Sequence, residues 1–183
     1  MRAQYGMAVF LFASILGAGS STRCARPEQI EEPPVAALPM CAESEPGERL
    51  AFFGRVRDER GRPLAKAAVL AYSTGVDGLY VPKGSDDPIP RICAVAVTNA
   101  EGWYHFSTIK PAPYPGGTDP AHIHLHVDAA LHQHTYVTFW FEGDPLITPR
   151  LRSRMDKETV IVRPAPDAQG VPCFRHDITL RPS

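Results

Sequence analysis

Short runs rich in apolar residues follow one another along the chain, and turn-forming residues separate them. Each run has the length of a β-strand, and only residues 145–155 (PLITPRLRSRM) predict a short helix. Gly, Pro, Asn and Asp cluster between the runs, as is typical of turns and long loops. Strands without amphipathic helices predict an all-β domain, an antiparallel β-sandwich or barrel with long loops. The predicted strands lie at residues 50–56, 65–73, 92–98, 103–109, 122–127, 135–141, 159–164 and 174–180.

One of these runs, residues 122–127 (HIHLHV), alternates strictly between polar and aliphatic residues. Successive side chains of a strand point to opposite faces, so three histidines share one face: His122, His124 and His126. Two imidazoles at positions i and i+2 of one strand lie close enough to bind a single metal ion. A polar strand face in solvent is the commoner explanation of such a pattern, and the run by itself leaves both open. His132 and His134 are interpreted as surface residues near the next strand.

The first residues of the chain have the pattern of an export signal. Arg2 precedes an apolar stretch at residues 7–16, which is too short for a bilayer-spanning helix, and small residues follow. We expect residues 1–20 to be an export signal, which implies a periplasmic or extracellular protein with no integral membrane span in the mature chain. A hydrophobic tail or a single anchor is one alternative. Acylation of Cys24, as in a lipoprotein, is another, although Arg23 before it fits that motif poorly.

The rest of the chain divides into a linker and one domain. Residues 21–48 are rich in Pro and Glu and predict a linker, or an arm laid over the domain. The folded domain is expected at residues 49–183. A hydrophobic fraction of 44% and a charged fraction of 21% are ordinary for a globular domain of this size. Nineteen prolines favour a loop-rich β chain over a helical bundle.

Charge and cysteine content narrow the function classes. The formal net charge of −1 provides no broad basic field, so we expect no nucleic-acid partner and no anionic membrane surface. None of the four cysteines forms a C-x-x-C pair, which gives no support to a zinc ribbon or a thioredoxin-like motif. Export would permit disulfides, and four cysteines allow three complete pairings that the sequence does not distinguish.

Two loop tyrosines join the histidines as candidate metal ligands. Tyr80 ends a Gly-rich turn, and Tyr114 stands between two prolines that stiffen its backbone. Tyrosine rarely binds divalent metals at neutral pH because the pKa of its phenol is about 10. A hard trivalent cation such as ferric iron overcomes this because it stabilises the phenolate. A set of two tyrosines and two histidines would therefore select ferric iron over zinc or magnesium.

Several segments together resemble the intradiol ring-cleavage dioxygenase family, especially its protocatechuate 3,4-dioxygenase branch. Residues 106–124 (FSTIKPAPYPGGTDPAHIH) resemble the family signature. Residues 54–72 (GRVRDERGRPLAKAAVLAY) and 78–80 (GLY) resemble its first hairpin and first tyrosine. Residues 141–147 (FEGDPLI) and 173–182 (CFRHDITLRP) resemble its later strands. The resemblance covers nearly the whole predicted domain, and the joint occurrence of these motifs in this order is highly specific.

The resemblance implies a β-sandwich of the prealbumin type that holds non-haem Fe(III). Carried over by motif, the metal ligands would be Tyr80, Tyr114, His122 and His124, the two tyrosines would also be catalytic, and His126 lies outside the pattern. The implied reaction uses O₂ to cleave a catechol-type vicinal diol to a muconate-type diacid. The implied partners are small aromatic diols and O₂, and the assemblies that the relatives form leave a homo-oligomer open.

Two residues depart from the family pattern. Thr138 replaces a Gln in the strand before FEGDP, and the residue before PAHIH is the departure that matters more. Family members typically carry Arg directly before the Pro of PAHIH, and this chain has Asp119 there. A carboxylate would repel a dianionic substrate unless it points away. Arg91 and His105 are the other candidates for a charge-stabilising role. A non-catalytic prealbumin-like sandwich that binds iron, a ligand or a partner without turnover is therefore the alternative hypothesis. A carbohydrate- or protein-binding module is a third, against which the four ligand-type residues argue.

Overall fold

The computed structural model describes residues 33–183, so the predicted export signal and Cys24 lie outside the described residues. This part of the chain is nearly all β, with a single helix of four residues, which confirms the predicted all-β class. The elements are β1 (Leu38–Pro39), β2 (Arg49–Asp58), β3 (Ala68–Ser73), β4 (Ile92–Val97), β5 (Trp103–Ile109), β6 (His122–Asp128), β7 (Thr135–Phe141), α1 (Pro149–Arg152), β8 (Thr159–Val162), β9 (Ala165–Pro166), β10 (Pro172–Arg175) and β11 (Ile178–Leu180).

The strands form two sheets. The first has the order β1-β5-β2-β10-β9, with β11 paired to the second half of β2, and the other has the order β4-β3-β6-β7-β8. Neighbours along the chain, such as β6 and β7, pair antiparallel as expected. The sheets are nevertheless mixed rather than purely antiparallel, because β1–β5, β2–β10, β2–β11 and β7–β8 pair in parallel. None of these parallel partners is joined by a tight hairpin, so no turn signal in the sequence reveals them.

The core lies between the two sheets. Phe52 of the first sheet packs against Phe106 and Phe174 of the same sheet and against Phe139 of the second sheet, with ring centroids 5.2–5.9 Å apart. The aliphatic residues of β6 also enter this core, and Ile123 and Leu125 are completely buried. The histidines of β6 therefore lie on the opposite, outer face of the second sheet.

Part of the predicted linker packs on the domain. Leu38 and Pro39 pair in parallel with β5, and the next side chain, Met40, is only 2% exposed in the core. The packed region thus begins before Arg49, as an arm laid over the first sheet. The domain boundaries themselves stay a prediction. Cys41 and Cys93 carry free thiols.

The helix predicted within residues 145–155 is reduced to α1. Thr148 caps it by accepting a hydrogen bond from the Leu151 N–H, and Pro149 occupies its first turn. Among the residues described, no helix is long and apolar enough to cross a membrane.

Candidate metal centre

The four predicted ligands come from three different parts of the chain. Tyr80 lies in the loop between β3 and β4, which we call the Tyr80 loop (residues 74–91). Tyr114 lies in the loop between β5 and β6, the Tyr114 loop (residues 110–121). The two histidines open β6, one of the central strands of the second sheet. The loops are joined to adjacent strands of that sheet, so they meet at the end of it that carries the histidines.

The structure brings all four side chains together. The Oη atoms of Tyr80 and Tyr114 are 2.6 Å apart, and Tyr114 Oη lies 3.0 Å from Nε2 of His122. The rings of His122 and His124 are edge to face, with centroids 4.5 Å apart. His122 is only 6% exposed, and the other three side chains are half-buried. Two phenol oxygens and the imidazoles of one strand therefore converge at the mouth of the two loops.

Close backbone contact holds the two loops against each other. Gly78 has a φ of +74°, and a Cβ added there would lie 2.2 Å from the carbonyl oxygen of Pro113. Only glycine fits this position, because the φ and the contact both exclude a side chain. The Thr74 hydroxyl also donates to the Ala112 carbonyl oxygen over 2.6 Å. These two contacts, which we call the clasp, fix the distance between the segments that carry the tyrosines.

Arg91, one candidate for a charge-stabilising role, holds the Tyr80 loop in place. Its N–H donates to the Tyr80 carbonyl oxygen over 2.8 Å. Its guanidinium donates to Asp77 over 2.7 Å and to Glu45 over 3.2 Å. The other candidate, His105, is hydrogen-bonded through Nδ1 to the Val35 carbonyl oxygen on the first sheet. Both candidate cations are therefore engaged elsewhere.

Each histidine is oriented through its Nδ1 atom. Nδ1 of His122 donates to the Pro120 carbonyl oxygen over 2.6 Å, which leaves the lone pair on Nε2. Nδ1 of His124 is hydrogen-bonded to the Tyr136 hydroxyl and lies 3.4 Å from Oγ1 of Thr138. Histidines that bind metals are typically held in this way, with one nitrogen on a protein group and the other facing the metal.

Burial shifts the pKa of two members of the cluster, Tyr80 and His124. Burial, followed by the hydrogen bond that the Tyr80 hydroxyl shares with Tyr114, raises the pKa of the Tyr80 phenol well above its usual value. Burial, with smaller contributions from His122 and His126, lowers the pKa of His124 to about 4. At neutral pH His124 is therefore a neutral imidazole with a lone pair, whereas ionising Tyr80 requires a strong positive charge nearby.

The donor set fits a ferric ion better than a divalent one. Within residues 33–183, no group of three or more His, Cys, Asp or Glu side chains is placed to hold a metal ion. A cation at the mouth of the loops would consequently depend on the tyrosine oxygens. Two phenolates are hard anionic ligands that suit Fe(III), and a trivalent charge offsets the cost of ionising a buried phenol.

Two further aromatic residues of the site were missed from the sequence. Tyr136 of β7 bonds to His124, and the ring of Tyr72 on β3 lies 4.9 Å from the ring of His124 and 5.8 Å from that of Tyr80. The strand register explains both contacts, because Tyr72 is paired with His124, and Tyr136, which is paired with His126, is the diagonal neighbour of His124. Tyr136 shares its strand face with Thr138, which was the available signal, whereas Tyr72 shares its face with the apolar Ala68 and Leu70 and offered none.

The remaining predicted residues lie around the cluster. Asp119 is exposed in the Tyr114 loop, which places its carboxylate in solvent. Asp144 accepts the N–H groups of Ala121 and Leu146 over 2.9 Å each, so it ties the turn after β7 to the start of β6. Residues 142–144 therefore form a structural turn.

A family profile described as Dioxygenase matches residues 31–182. The chain is 38% identical over 112 residues to the protocatechuate 3,4-dioxygenase beta chain of Burkholderia cepacia, which is 55% of this chain and 48% of that protein. It is 32% identical over 144 residues to chlorocatechol 1,2-dioxygenase of Rhodococcus opacus, which is 69% of this chain and 56% of that protein. It thus spans about half the length of these curated relatives.

Solved structures share the fold. Hydroxyquinol 1,2-dioxygenase from Pseudomonas putida DLL-E4 superposes with a TM-score of 0.65 and 20% identity, over 86% of this chain and 64% of that one. The dioxygenase domain of a carbohydrate-binding fusion protein from Streptomyces sp. SirexAA-E superposes with a TM-score of 0.60 and 23% identity, over 86% of this chain and 98% of that one. With a family profile that covers most of its length, the chain belongs to the intradiol ring-cleavage dioxygenase family.

Proposed function

We propose that this protein is a non-haem Fe(III) intradiol dioxygenase that cleaves a catechol-type diol with O₂. One observation carries the proposal. Tyr114 Oη lies 2.6 Å from Tyr80 Oη and 3.0 Å from His122 Nε2, and the ring of His124 lies next to that of His122. These four residues would hold the iron. When bound, the ferric ion would supply the positive charge that stabilises an ionised diol and makes its ring reactive toward O₂.

The residues of the chain would manage binding and protons. Tyr114 Oη lies between Tyr80 Oη and His122 Nε2, so it is the phenol placed to exchange a proton with neighbours on two sides. As a phenolate, it would accept the proton of a diol hydroxyl, which is general-base catalysis. The bond from His122 Nδ1 to Pro120, and the contact of His124 Nδ1 with Tyr136, would keep both imidazoles from rotating as the diol enters.

The proposed substrate is a small aromatic vicinal diol. The names of the relatives include protocatechuate, catechol and chlorocatechol, so these are the diols to test first. The ring of Tyr72 forms one wall beside the cluster and would stack on an aromatic substrate. Since Asp119 is exposed, its carboxylate can stay in solvent while a dianionic diol binds.

Location and assembly belong to the same proposal. Export by residues 1–20 would place the enzyme in the periplasm or outside the cell, with acylation of Cys24 as the alternative. A homo-oligomer is a further expectation, which size-exclusion chromatography coupled to light scattering would test.

The direct test is to load the full chain with Fe(III) and record its visible spectrum with and without a diol. We expect a broad visible band from phenolate-to-iron charge transfer, a shift of that band on adding catechol, and uptake of one O₂ per diol. His122→Ala should lose the band, whereas the matched control His132→Ala, on the loop before β7, should keep it. A colourless protein after iron loading would refute the proposal.

The alternative function predicts a different outcome of the same experiment. A non-catalytic sandwich that keeps the metal would show the band without O₂ uptake on catechol, protocatechuate or chlorocatechol. Asp119, where family members typically carry Arg, is the feature that favours it. Asp119→Arg would then be the informative variant, since restored O₂ uptake would identify the missing cation as the cause.

A further inference from the structure

A second pair of histidines lies on the outer face of the same sheet. Nδ1 of His126 is 3.2 Å from Nε2 of His134, and Nδ1 of His134 is 2.9 Å from a carboxylate oxygen of Asp128. The side chains of His134 and Asp128 are 49% and 65% exposed, so solutes can reach the pair from solvent. His126 is half-buried, and its Nε2 lies 3.4 Å from the Tyr72 hydroxyl.

The register of β6 and β7 explains why these side chains meet. His126 pairs with Tyr136, and the last pair of the ladder is Val127 with Thr135. His134 is therefore the diagonal neighbour of His126, and long aromatic side chains reach each other across such a diagonal. His134 also stands opposite Asp128, just beyond the last pair. The contact between His126 and His134 thus lies at the turn end of the β6–β7 hairpin.

The carboxylate decides which nitrogen of His134 is available. Asp128 accepts the Nδ1 hydrogen of His134, so Nε2 is the nitrogen of His134 that faces His126. One hydrogen lies between Nδ1 of His126 and that nitrogen. If this hydrogen moves to Nε2 of His126, beside the Tyr72 hydroxyl oxygen, two nitrogen lone pairs face each other across 3.2 Å.

We propose that His126 and His134 form a second metal site, which binds one divalent transition-metal ion that prefers imidazole, such as Zn²⁺ or Cu²⁺. In tetrahedral coordination with metal–nitrogen bonds of about 2.0–2.1 Å, two imidazole nitrogens lie roughly 3.3 Å apart. The observed 3.2 Å separation matches this spacing without movement of either strand. The hydrogen between the two rings moves to Nε2 of His126, so metal binding releases no proton from the pair. Water molecules complete the coordination of the metal.

The Asp128–His134 contact adds a second feature of metal sites. A ligand histidine usually donates its other N–H to a carboxylate or a carbonyl oxygen, which orients the ring and makes it a stronger ligand. This site is distinct from the cluster proposed for Fe(III), because it has no tyrosine ligand and a softer donor set. Its presence does not depend on the proposed ring cleavage.

The experiment uses the full chain after iron loading, with Cu²⁺ and Zn²⁺ as the probes. Copper is titrated while its electron paramagnetic resonance spectrum is recorded, and zinc affinity is measured by calorimetry. We expect one added Cu²⁺ with hyperfine structure from two nitrogens. Asp128→Asn should weaken Zn²⁺ binding about 10- to 100-fold, because it removes the orienting carboxylate. His134→Ala, which removes a ligand, should weaken it further.

His132→Ala is the matched control, since His132 lies on the same turn but its Nδ1 is bonded to the Ala130 carbonyl oxygen. Its Zn²⁺ affinity should stay within about twofold of the parent. Equal affinity in His134→Ala and the parent would overturn the proposal, and so would equal losses in the His134 and His132 variants. Thermal unfolding of each variant is the control that the variants compared are folded. Failure of the iron site would show in the visible spectrum and not in these affinities.

Discussion

At the scale of single residues, the sequence identified the candidate ligands but not the side chains that support them. The resemblance to the dioxygenase family pointed to Tyr80, Tyr114, His122 and His124, and the structure places these four side chains together. The partner of His124 could not be foreseen, because alternation within a strand says which face a residue occupies but not which residue of the next strand stands opposite. His126, interpreted as a bystander, instead contacts His134.

Tyr136 provides a prediction at this scale. Tyr136→Phe removes the hydroxyl that is bonded to Nδ1 of His124, so the imidazole loses a partner that fixes its rotation. We expect iron affinity to fall about 10- to 100-fold, with the fold retained. The measurement is competition for Fe(III) against a chelator, followed by the visible band.

Tyr72→Phe is the comparison variant for Tyr136. It deletes a hydroxyl on the same sheet face, but that hydroxyl lies near His126 and bonds to neither proposed ligand histidine. Its iron affinity should change less than about threefold, since no partner of a ligand nitrogen is lost. Similar losses in the two variants would show that Tyr136 acts through general packing rather than through His124.

At the scale of elements, the strands were predictable and their partners only in part. The hairpin of β6 and β7 follows from neighbouring alternating runs. The last run, predicted as one strand, splits into β10 and β11, and both pair with β2 in parallel. His176 and Asp177 interrupt it. Such pairing joins segments more than a hundred residues apart, and side-chain alternation carries no information about the direction of a distant neighbour.

The clasp between the two tyrosine loops gives the prediction at this scale. In Gly78→Ala, the new Cβ would meet the Pro113 carbonyl oxygen at 2.2 Å and would hold alanine at a φ of +74°. The loops must then separate, which moves the Tyr80 oxygen away from that of Tyr114. We expect more than about tenfold weaker iron binding and a loss of about 1–3 kcal/mol in stability.

Gly84→Ala is the matched control for the clasp. Gly84 has a similar φ of +84°, but a Cβ there would meet no atom within 4 Å. It carries the backbone strain without the collision, so it should lose stability by about 1 kcal/mol and keep its iron affinity. Chelator competition and urea unfolding separate the two effects. Equal iron affinity in the two alanine variants would contradict a role for loop contact in placing Tyr80.

At the scale of the whole molecule, composition was a reliable guide to an all-β domain, and it did not reveal where packing begins. A stretch rich in Pro and Glu was interpreted as a linker or an arm laid over the domain, and its residues 38–40 do form an arm, with a short strand and a core side chain. Local composition could not show this, because a single buried methionine between prolines has no periodic signal.

The arm should therefore contribute to global stability. Met40→Ala removes a side chain that is 2% exposed, and we expect the free energy of unfolding to fall by about 2–4 kcal/mol. Leu38→Ala, at a residue that is 37% exposed, should cost less than about 1 kcal/mol. Urea unfolding followed by tryptophan fluorescence measures both. Equal small losses would place the arm outside the cooperative unit.

The global stability should also depend on pH through His176. Its ring packs against Phe139, with centroids 5.2 Å apart, and burial lowers the pKa of His176 despite the opposing effect of Asp177. The fold therefore prefers the neutral imidazole. As the pH falls below about 6.5, His176 is protonated in the unfolded chain but stays neutral in the folded chain. The stability that the neutral, buried His176 contributes is therefore present above this pH and is lost below it.

The magnitude of this loss follows from linkage. One proton bound only by the unfolded chain changes stability by at most about 1.4 kcal/mol per pH unit. His176→Phe keeps an aromatic ring against Phe139 and removes the titrating group, so its unfolding free energy should fall less steeply between pH 6.5 and 5. Urea titrations at both pH values give the two slopes. Other titrating groups contribute equally to both proteins. Parallel slopes would therefore mean that His176 takes up its proton at the same pH in the folded and the unfolded chain, and that burial against Phe139 does not control its charge.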